Sequence, residues 1–169
     1  MPTRLLVVSD THVPARARAL PADLLEEARR ADAIIHAGDW VSATVLDELE
    51  ALAPVVGVCG NNDGGDLRAR LPEVARATFD GVRFAVVHET GDAKARETRM
   101  DAAYPDTDVL VFGHSHIPWD STTPGGMRLL NPGSPTDRRR QPRGTFLSVV
   151  VDAGTVVEAR LIPVEPNAR

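Results

Sequence analysis

Five apolar runs of this chain each stop at side chains that can bind a metal ion. These side chains are carboxylates, an amide and imidazoles, and in chain order they are Asp10 and His12, Asp39, Asn61, His88, and His114 and His116. Short apolar runs are typical of buried strands, and the C-terminal ends of parallel strands lie along one edge of a sheet. The sequence therefore predicts one site at such an edge, built from oxygen and imidazole ligands.

The first half of the chain alternates strand patterns with helix patterns. Strands are predicted at residues 5–9, 33–36 and 55–58, with helices at 21–30 and 42–52 between them. Ser42 is a suitable N-cap for the second helix. Such alternation indicates a parallel sheet with helices packed on it, as in α/β proteins.

The second half contains mostly strand patterns. A hairpin is predicted at 75–79 and 82–87, because Asp80-Gly81 suits a type I′ turn. A helix follows at 92–103, and further strands are predicted at 109–112, 128–131, 145–151 and 155–161. We expect these strands to form a second, more antiparallel sheet. Two mixed sheets face to face with helices outside define a four-layer α/β sandwich.

Length, composition and charge limit the class of protein. The 169 residues suffice for one domain, predicted at residues 1–165, and the formal net charge of −5 argues against bulk nucleic-acid binding. No apolar stretch approaches the ~20 residues of a membrane span. No secretory signal is recognisable, and the single Cys59 cannot form an internal disulfide, so we expect a cytoplasmic protein.

The ligand types favour transition metals. The pairs Asp10/His12 and His114/His116 have i, i+2 spacing, which in an extended segment puts both side chains on one side. Imidazole and oxygen ligands without thiolate suit Mn, Fe, Zn, Ni or Co better than Mg or Ca. Each pair alone is also typical of a surface turn, so the prediction depends on the whole set. His36, inside a strand, is interpreted as a packed histidine.

The motifs together resemble a known family. The segments Asp10-Thr-His12, Gly38-Asp39, Gly60-Asn61-Asn62-Asp63, His88 and Gly113-His114-Ser115-His116 resemble the calcineurin-like metallophosphoesterase superfamily. The small size and Asn131-Pro132-Gly133-Ser134 resemble its compact YfcE-like prokaryotic phosphodiesterase branch, which also includes the scaffold subunit of retromer. The resemblance spans residues 3–160 and implies the calcineurin-like phosphoesterase fold.

The resemblance implies a dinuclear metal centre and a reaction. The first ion would be bound by Asp10, His12, Asp39 and His116, and the second by Asp39, Asn61, His88 and His114. The ions would be two divalent transition metals, Mn²⁺ first, with Fe, Ni, Zn or Co as alternatives. The implied reaction is in-line attack of a metal-bridging hydroxide on a phosphate ester, with phosphodiesters preferred to monoesters. Its catalytic residues would be Asp39, Asn61, Asn62 and His88.

Two positions depart from the family pattern. Relatives often place His or Cys where this chain has Asn62, and an amide cannot deliver a proton to a leaving group. Many relatives also continue His-Gly-His where this chain has His88-Glu89. The alternative function is therefore a catalytically weak, metal-binding interaction scaffold of the same fold. Homo-oligomers are implied by relatives, without a sequence feature that favours one.

Four residues are candidate substrate contacts. Asn62 lies beside the ligand Asn61, Trp40 and Trp119 lie close to ligands in sequence, and Arg138 begins the basic segment 138–140. The tryptophans would stack on a nucleobase or aryl group, and Arg138 would bind phosphate. Their structural alternatives are loop packing and a solvated basic loop. The predicted partner is thus a small phosphate ester, with nucleotide-derived esters included.

Overall fold

A computed structural model describes residues 2–165, which form ten strands and four helices. The strands are β1 Thr3–Val8, β2 Ala33–His36, β3 Val55–Gly57, β4 Val74–Phe79, β5 Val82–Val87, β6 Val109–Val111, β7 Trp119–Thr122, β8 Arg128–Asn131, β9 Thr145–Asp152 and β10 Thr155–Pro163. The helices are α1 Ala22–Arg30, α2 Ala43–Glu50, α3 Gly65–Arg70 and α4 Arg96–Ala103. Among these residues no helix has the length and apolar character to cross a bilayer.

The strands form two mixed five-stranded sheets, as predicted for the fold class. Their orders are β10-β9-β1-β2-β3 and β4-β5-β6-β8-β7. The prediction that β9 and β10 belong to the second sheet is wrong. β9 pairs antiparallel with β1, with Leu5 opposite Val149, and β10 extends this edge. Sheet membership depends on which edge is free to pair, and a local sequence pattern does not contain that information.

Three apolar clusters show the layers of the sandwich. Alternate residues of the central strands, such as Leu5 and Val111, meet between the two sheets. Leu6 of β1 points the other way and packs under α1 and α2. Leu110 of β6 packs on the outer face of the second sheet with Met100 of α4. The period of two along each strand therefore supplies both a central core and two helix-covered faces, which confirms the four-layer sandwich.

The predicted cap of α2 is confirmed, whereas the predicted start of α4 is not. The Ser42 hydroxyl accepts a hydrogen bond from the Thr44 N–H at 3.2 Å, so it caps α2 as predicted. Helix α4 begins at Arg96 and not at residue 92, because Ala95 has a left-handed φ of 53°. The Arg99 guanidinium donates to the carbonyls of Thr90 and Asp92 and so stabilises this irregular loop. Helix α3 and strand β7 were not predicted.

Candidate metal centre

The seven predicted ligands lie in loops that directly follow five strands. The loops come after β1, β2 and β3 of the first sheet and after β5 and β6 of the second. Each sheet thus presents C-terminal strand ends to the same place. The ligands of these loops, in chain order, are Asp10, His12, Asp39, Asn61, His88, His114 and His116.

The ligand atoms form two adjacent groups. Asp10, His12 and His116 form one, Asp39, His88 and His114 form the other, and within each group the atoms lie within 4.8 Å of one another. Asp39 Oδ2 lies between the groups, at 3.4 Å from His12 Nε2 and 3.3 Å from His88 Nε2.

The amide of Asn61 completes the second group. Its Oδ1 is 2.9 Å from His88 Nε2 and 3.2 Å from His114 Nδ1. The structure therefore brings all seven predicted ligands together, in the two sets that the resemblance implies.

The first group fits a cation. Asp10 Oδ1, His12 Nε2 and His116 Nε2 are buried and have no hydrogen-bond partner among the described residues. His116 Nε2 is 3.4 Å from Asp10 Oδ1, and His12 Nε2 is 3.8 Å from it. Buried polar atoms are almost always paired, and one carboxylate oxygen facing two imidazole nitrogens is a donor set that a divalent transition metal satisfies.

Backbone carbonyls orient two of the imidazoles. His116 Nδ1 lies 2.6 Å from the carbonyl oxygen of Asp137, and His88 Nδ1 lies 2.7 Å from that of Ala37. A carbonyl only accepts, so each Nδ1 carries the proton and donates it. Each Nε2 is then the nitrogen left to bind an ion, once it carries no proton. No sequence pattern indicates these two carbonyls.

Ser9 and Ser134 position Asp10. The Ser9 hydroxyl donates to Asp10 Oδ2 at 2.7 Å, and the His114 N–H donates to the same oxygen at 2.9 Å. The Ser134 hydroxyl donates to the Asp10 carbonyl at 2.8 Å. Oδ2 is thus occupied by protein donors and Oδ1 is left for an ion. Ser134 belongs to the Asn131-Pro132-Gly133-Ser134 motif, whereas no sequence pattern indicates the role of Ser9.

Five of the ligands have left-handed backbone conformations. Their φ angles are Asp10 56°, His12 42°, Asp39 60°, His114 74° and His116 61°. The expectation that the i, i+2 pairs converge in extended segments is therefore wrong, because β1 and β6 end before these residues. Non-glycine residues at positive φ are uncommon and strained, and such residues cluster at functional sites.

Comparison with known proteins identifies the family. Residues 3–154 match the calcineurin-like phosphoesterase superfamily domain. The chain belongs to the calcineurin-like phosphoesterase superfamily. A probable metallophosphoesterase of Methanocaldococcus jannaschii is 37% identical over 160 residues, covering 94% of this chain and 80% of the relative. One of Methanothermobacter thermautotrophicus is 40% identical over 149 residues, covering 86% and 82%.

The fold is shared with Vps29. The crystal structure of Vps29 from Entamoeba histolytica in complex with Zn²⁺ superposes with a TM-score of 0.70 at 24% identity. The alignment covers 95% of this chain and 98% of that one. At this identity the likeness shows the fold alone.

Two glycines of the phosphoesterase domain allow its ligand loops to approach closely. A Cβ at Gly60 would lie 2.1 Å from Asp39 Oδ1, and a Cβ at Gly113 would lie 2.6 Å from Asp10 Oδ2 and 2.0 Å from Ser9 Oγ. Side chains there would collide with the ligands.

Asp63 ties two ligand loops together. Its Oδ2 accepts the N–H groups of Asp39 at 2.9 Å and Gly60 at 2.6 Å, and its Oδ1 accepts that of Val41 at 2.8 Å. Burial raises the pKa of the Asp63 carboxyl, although these N–H donors act in the opposite direction. These contacts show that Asp63, the last residue of the Gly60-Asn61-Asn62-Asp63 motif, supports the ligand loops.

The charges within the site are strongly coupled. Burial would raise the pKa of Asp10, but the imidazoles of His116 and His12 outweigh burial and hold this pKa below its ordinary range. The pKa of Asp39 is lowered to about 2, because His88 and Asn62 outweigh its burial. Burial would lower the pKa of His88, but the hydrogen bond with Asp39 and the charge of Asp10 raise it to about 8.

The tryptophans do not form the predicted aromatic wall. Trp40 is 0% exposed, stacks on His36 at a centroid distance of 3.5 Å and donates from Nε1 to the Val58 carbonyl. Trp119 is half-buried and packs on the Arg96 guanidinium at 4.5 Å, on the face covered by α4. The prediction for Trp40 is wrong, because its ring is buried in the core. One face of the Trp119 ring is covered by Arg96 at the start of α4, and a contact of Trp119 with substrate stays a prediction.

The other two candidate substrate contacts are exposed. Asn62 donates to Asp39 from its N–H, to Oδ1 at 2.9 Å, and from Nδ2, to Oδ2 at 2.8 Å. Arg138 donates from Nη1 to the Gln141 carbonyl at 2.7 Å, and its side chain borders a cavity beside His116. Both therefore lie at the mouth of the site, and their contact with substrate stays a prediction.

Proposed function

We propose that this protein is a dinuclear-metal-dependent hydrolase of phosphate esters, with phosphodiesters preferred. The observation that carries the proposal is the placement of Asp39 Oδ2 between two ligand groups, at 3.4 and 3.3 Å from an imidazole of each. The first ion would be bound by Asp10, His12, Asp39 and His116, and the second by Asp39, Asn61, His88 and His114. Mn²⁺ is the proposed metal, with Fe, Ni, Zn or Co as alternatives.

The charge of the ligands suits an anionic substrate. Two divalent ions would lower the pKa of a shared water and neutralise charge on a phosphoryl group. Asp10 and Asp39 neutralise only half of the charge of such a pair, so the centre would remain cationic despite the net charge of −5 on the chain. His88 and Asn61 contribute no formal negative charge when they bind an ion.

Asn62 would position the substrate. Its exposed amide lies 2.8 Å from Asp39 Oδ2 and so borders both ligand groups. In this role the Nδ2 group donates a hydrogen bond to a phosphoryl oxygen. It cannot protonate a leaving group, so we expect esters with good leaving groups to react fastest. The preference for diesters comes from the resemblance to the YfcE-like branch.

The test is metal-restored turnover. The purified protein is stripped of metal, supplied with Mn²⁺ and given bis(p-nitrophenyl) phosphate or p-nitrophenyl phosphate. We expect faster cleavage of the diester, loss of activity in Asp39→Ala, and full activity in Asp47→Ala, whose side chain is exposed on α2. Faster monoester cleavage would contradict the diester preference. Equal activity in Asp39→Ala and wild type would contradict the proposed centre.

The second candidate is a metal-binding interaction scaffold. The observation that favours it is Asn62, which offers no proton donor for catalysis, together with the shared fold of Vps29. A folded protein that binds two ions per chain, yet turns over neither ester with Mn²⁺, Ni²⁺ or Zn²⁺, would support the scaffold. The ligand set favours the hydrolase, because a scaffold does not need all seven metal-type side chains.

The proposal treats residues 1–165 as one catalytic domain in the cytoplasm. The family match to residues 3–154 covers most of this span. Assembly into a homo-oligomer stays a prediction from the resemblance.

A further inference from the structure

A basic cavity lies directly beside the first ligand group. It measures about 270 Å³ and is lined by Ser115, His116, Ile117, residues 138–140 and Gln141. His116 contributes to both places, since its Nε2 faces Asp10 Oδ1 at 3.4 Å and the residue also lines the cavity. The cavity and the first ligand group therefore share a residue, so an anion in the cavity would lie close to the centre.

The arginines of the cavity have no acidic partner. Within residues 2–165 no carboxylate forms an ion pair with Arg138, Arg139 or Arg140, although many other arginines form one. The nearby Asp137 carboxylate instead lies 3.7 Å from Arg16 and 3.8 Å from His116 Nδ1. Three like charges in sequence thus face one cavity with no counter-charge from the protein.

The turn that carries the arginines is internally fixed. The Gln141 N–H donates to the Arg138 carbonyl at 2.9 Å, and Arg138 Nη1 donates back to the Gln141 carbonyl at 2.7 Å. Arg139 in addition has a left-handed φ of 49°. Arg138 therefore uses one N–H group to close the turn, whereas the guanidinium donors of Arg139 and Arg140 are available to a ligand.

We propose that this cavity is an anion subsite, and that the substrate is a phosphodiester bearing a second phosphate group. The inference rests on the proposed function, because the first phosphate must occupy the seven-ligand centre. Guanidinium groups bind phosphate through paired, charge-assisted hydrogen bonds, so two free arginines suit a dianionic terminal phosphate. The subsite makes this second phosphate a determinant of specificity.

The surroundings of the cavity agree with a bound anion. Its volume of about 270 Å³ has room for a phosphate group. A second cavity, of about 360 Å³ on the His88 side, is lined by both Arg68 and the carboxylates Glu73 and Glu89. Arg68 there already donates to the carbonyls of Asp63 and Gly60. The second phosphate is therefore assigned to the arginine side.

The test compares two ligands that differ only in the second phosphate. Thymidylyl-thymidine, with and without a 5′-phosphate, is titrated calorimetrically into Mn²⁺-loaded protein as its non-cleavable methylenephosphonate analogue, and cleavage of both parent esters is then followed with Mn²⁺. The variants are Arg139→Ala/Arg140→Ala and, as a charge-matched control on α1, Arg29→Ala/Arg30→Ala. Arg139→Lys/Arg140→Lys keeps the charge and removes the paired donors. All of these side chains are exposed, so folding is checked by circular dichroism.

We expect wild type to bind the 5′-phosphorylated ligand about 10- to 100-fold more tightly, as charge-assisted bonds allow. Alanine at 139 and 140 should abolish this ratio and raise KM for that ligand, with kcat for bis(p-nitrophenyl) phosphate unchanged. The α1 control should keep the ratio, and lysines should keep part of it. The ratio should also fall with added salt, because the groups are exposed.

Equal affinity for both ligands in wild type, or an unchanged ratio in Arg139→Ala/Arg140→Ala, would overturn the subsite even if bis(p-nitrophenyl) phosphate is cleaved. A large ratio that depends on these arginines, without cleavage of any ester, would support the subsite as an anion site and refute the hydrolase.

Discussion

Asp63 is expected to hold the metal centre together without binding an ion. Its carboxylate accepts three backbone N–H groups, those of Asp39, Val41 and Gly60, at 2.6–2.9 Å. Asp63→Ala removes all three acceptors from two loops that carry ligands. The substitution should therefore weaken both folding and metal binding.

The magnitude follows from the three contacts. A hydrogen bond to a charged group contributes ~1.5–3 kcal/mol, which gives an upper range of ~4–9 kcal/mol for three. Burial of the carboxylate, which raises its pKa, offsets part of this gain. We expect a loss of about 3 kcal/mol in the free energy of unfolding, or a fall of about 6–12 °C in Tm for a chain of this size. Asp63→Asn should lose less, since its amide oxygen still accepts.

The assay is urea denaturation of the metal-free variants at pH 7, followed by calorimetric titration with Mn²⁺. Groups that orient metal ligands typically change affinity 10- to 100-fold, and we expect a decrease in this range for Asp63→Ala. Asp47→Ala is the matched control, because its carboxylate is 62% exposed and pairs with Arg70 at the surface. Exposed pairs contribute ~0–1 kcal/mol. A value for Asp63→Ala within this control range, with Mn²⁺ affinity unchanged, would refute the reasoning.

Three further outcomes are expected. Gly113→Ala should destabilise the protein by ~1–3 kcal/mol and weaken metal binding, since the added Cβ would lie 2.6 Å from Asp10 Oδ2. Urea denaturation measures this loss, and Gly65→Ala is the control, because its Cβ would meet no atom within 4 Å. Burial lowers the pKa of His36 from 6.5 to about 3. Between pH 6.5 and pH 3 the unfolded chain therefore binds more protons than the folded chain. The free energy of unfolding of the metal-free protein should then fall by up to ~1.4 kcal/mol per pH unit as the pH drops from 6.5 to 3. For His36→Gln, urea denaturation should show a free energy of unfolding that depends less on pH. Asn62→His should raise turnover of alkyl over aryl diesters by ~10²-fold or more, and an unchanged ratio would argue against a missing proton donor.

Local chemistry accounts for the features that the sequence predicted correctly. The Asp80-Gly81 turn has φ angles of 47° and 81°, as a type I′ hairpin requires, and Ala153-Gly154 repeats the pattern at 48° and 81°. Ser42 caps α2 with its own side chain. Each of these features depends on residues a few positions apart, so the residues that cause it can be recognised within one short segment of the sequence.

The predictions that failed involve residues far apart in the chain. Trp40 follows a ligand in sequence, but its ring stacks on His36 and is fully buried, so proximity in the chain did not place it at the mouth of the site. β9 pairs with β1 across 140 to 148 residues, although its sequence resembles that of any buried strand. Neither contact has a local signature.

The sequence by itself determined which side chains are available as ligands and that each follows a buried strand, because strand periodicity and residue chemistry are local properties. The tertiary structure alone decided how the ligands meet. It brought the strand ends of two sheets to one place, set Asp10 and His114 at positive φ, and supplied the Asp137 and Ala37 carbonyls that orient two imidazoles. These contacts arise only when distant loops pack together. Atoms of one loop then accept hydrogen bonds from donors of another and stabilise its strained backbone.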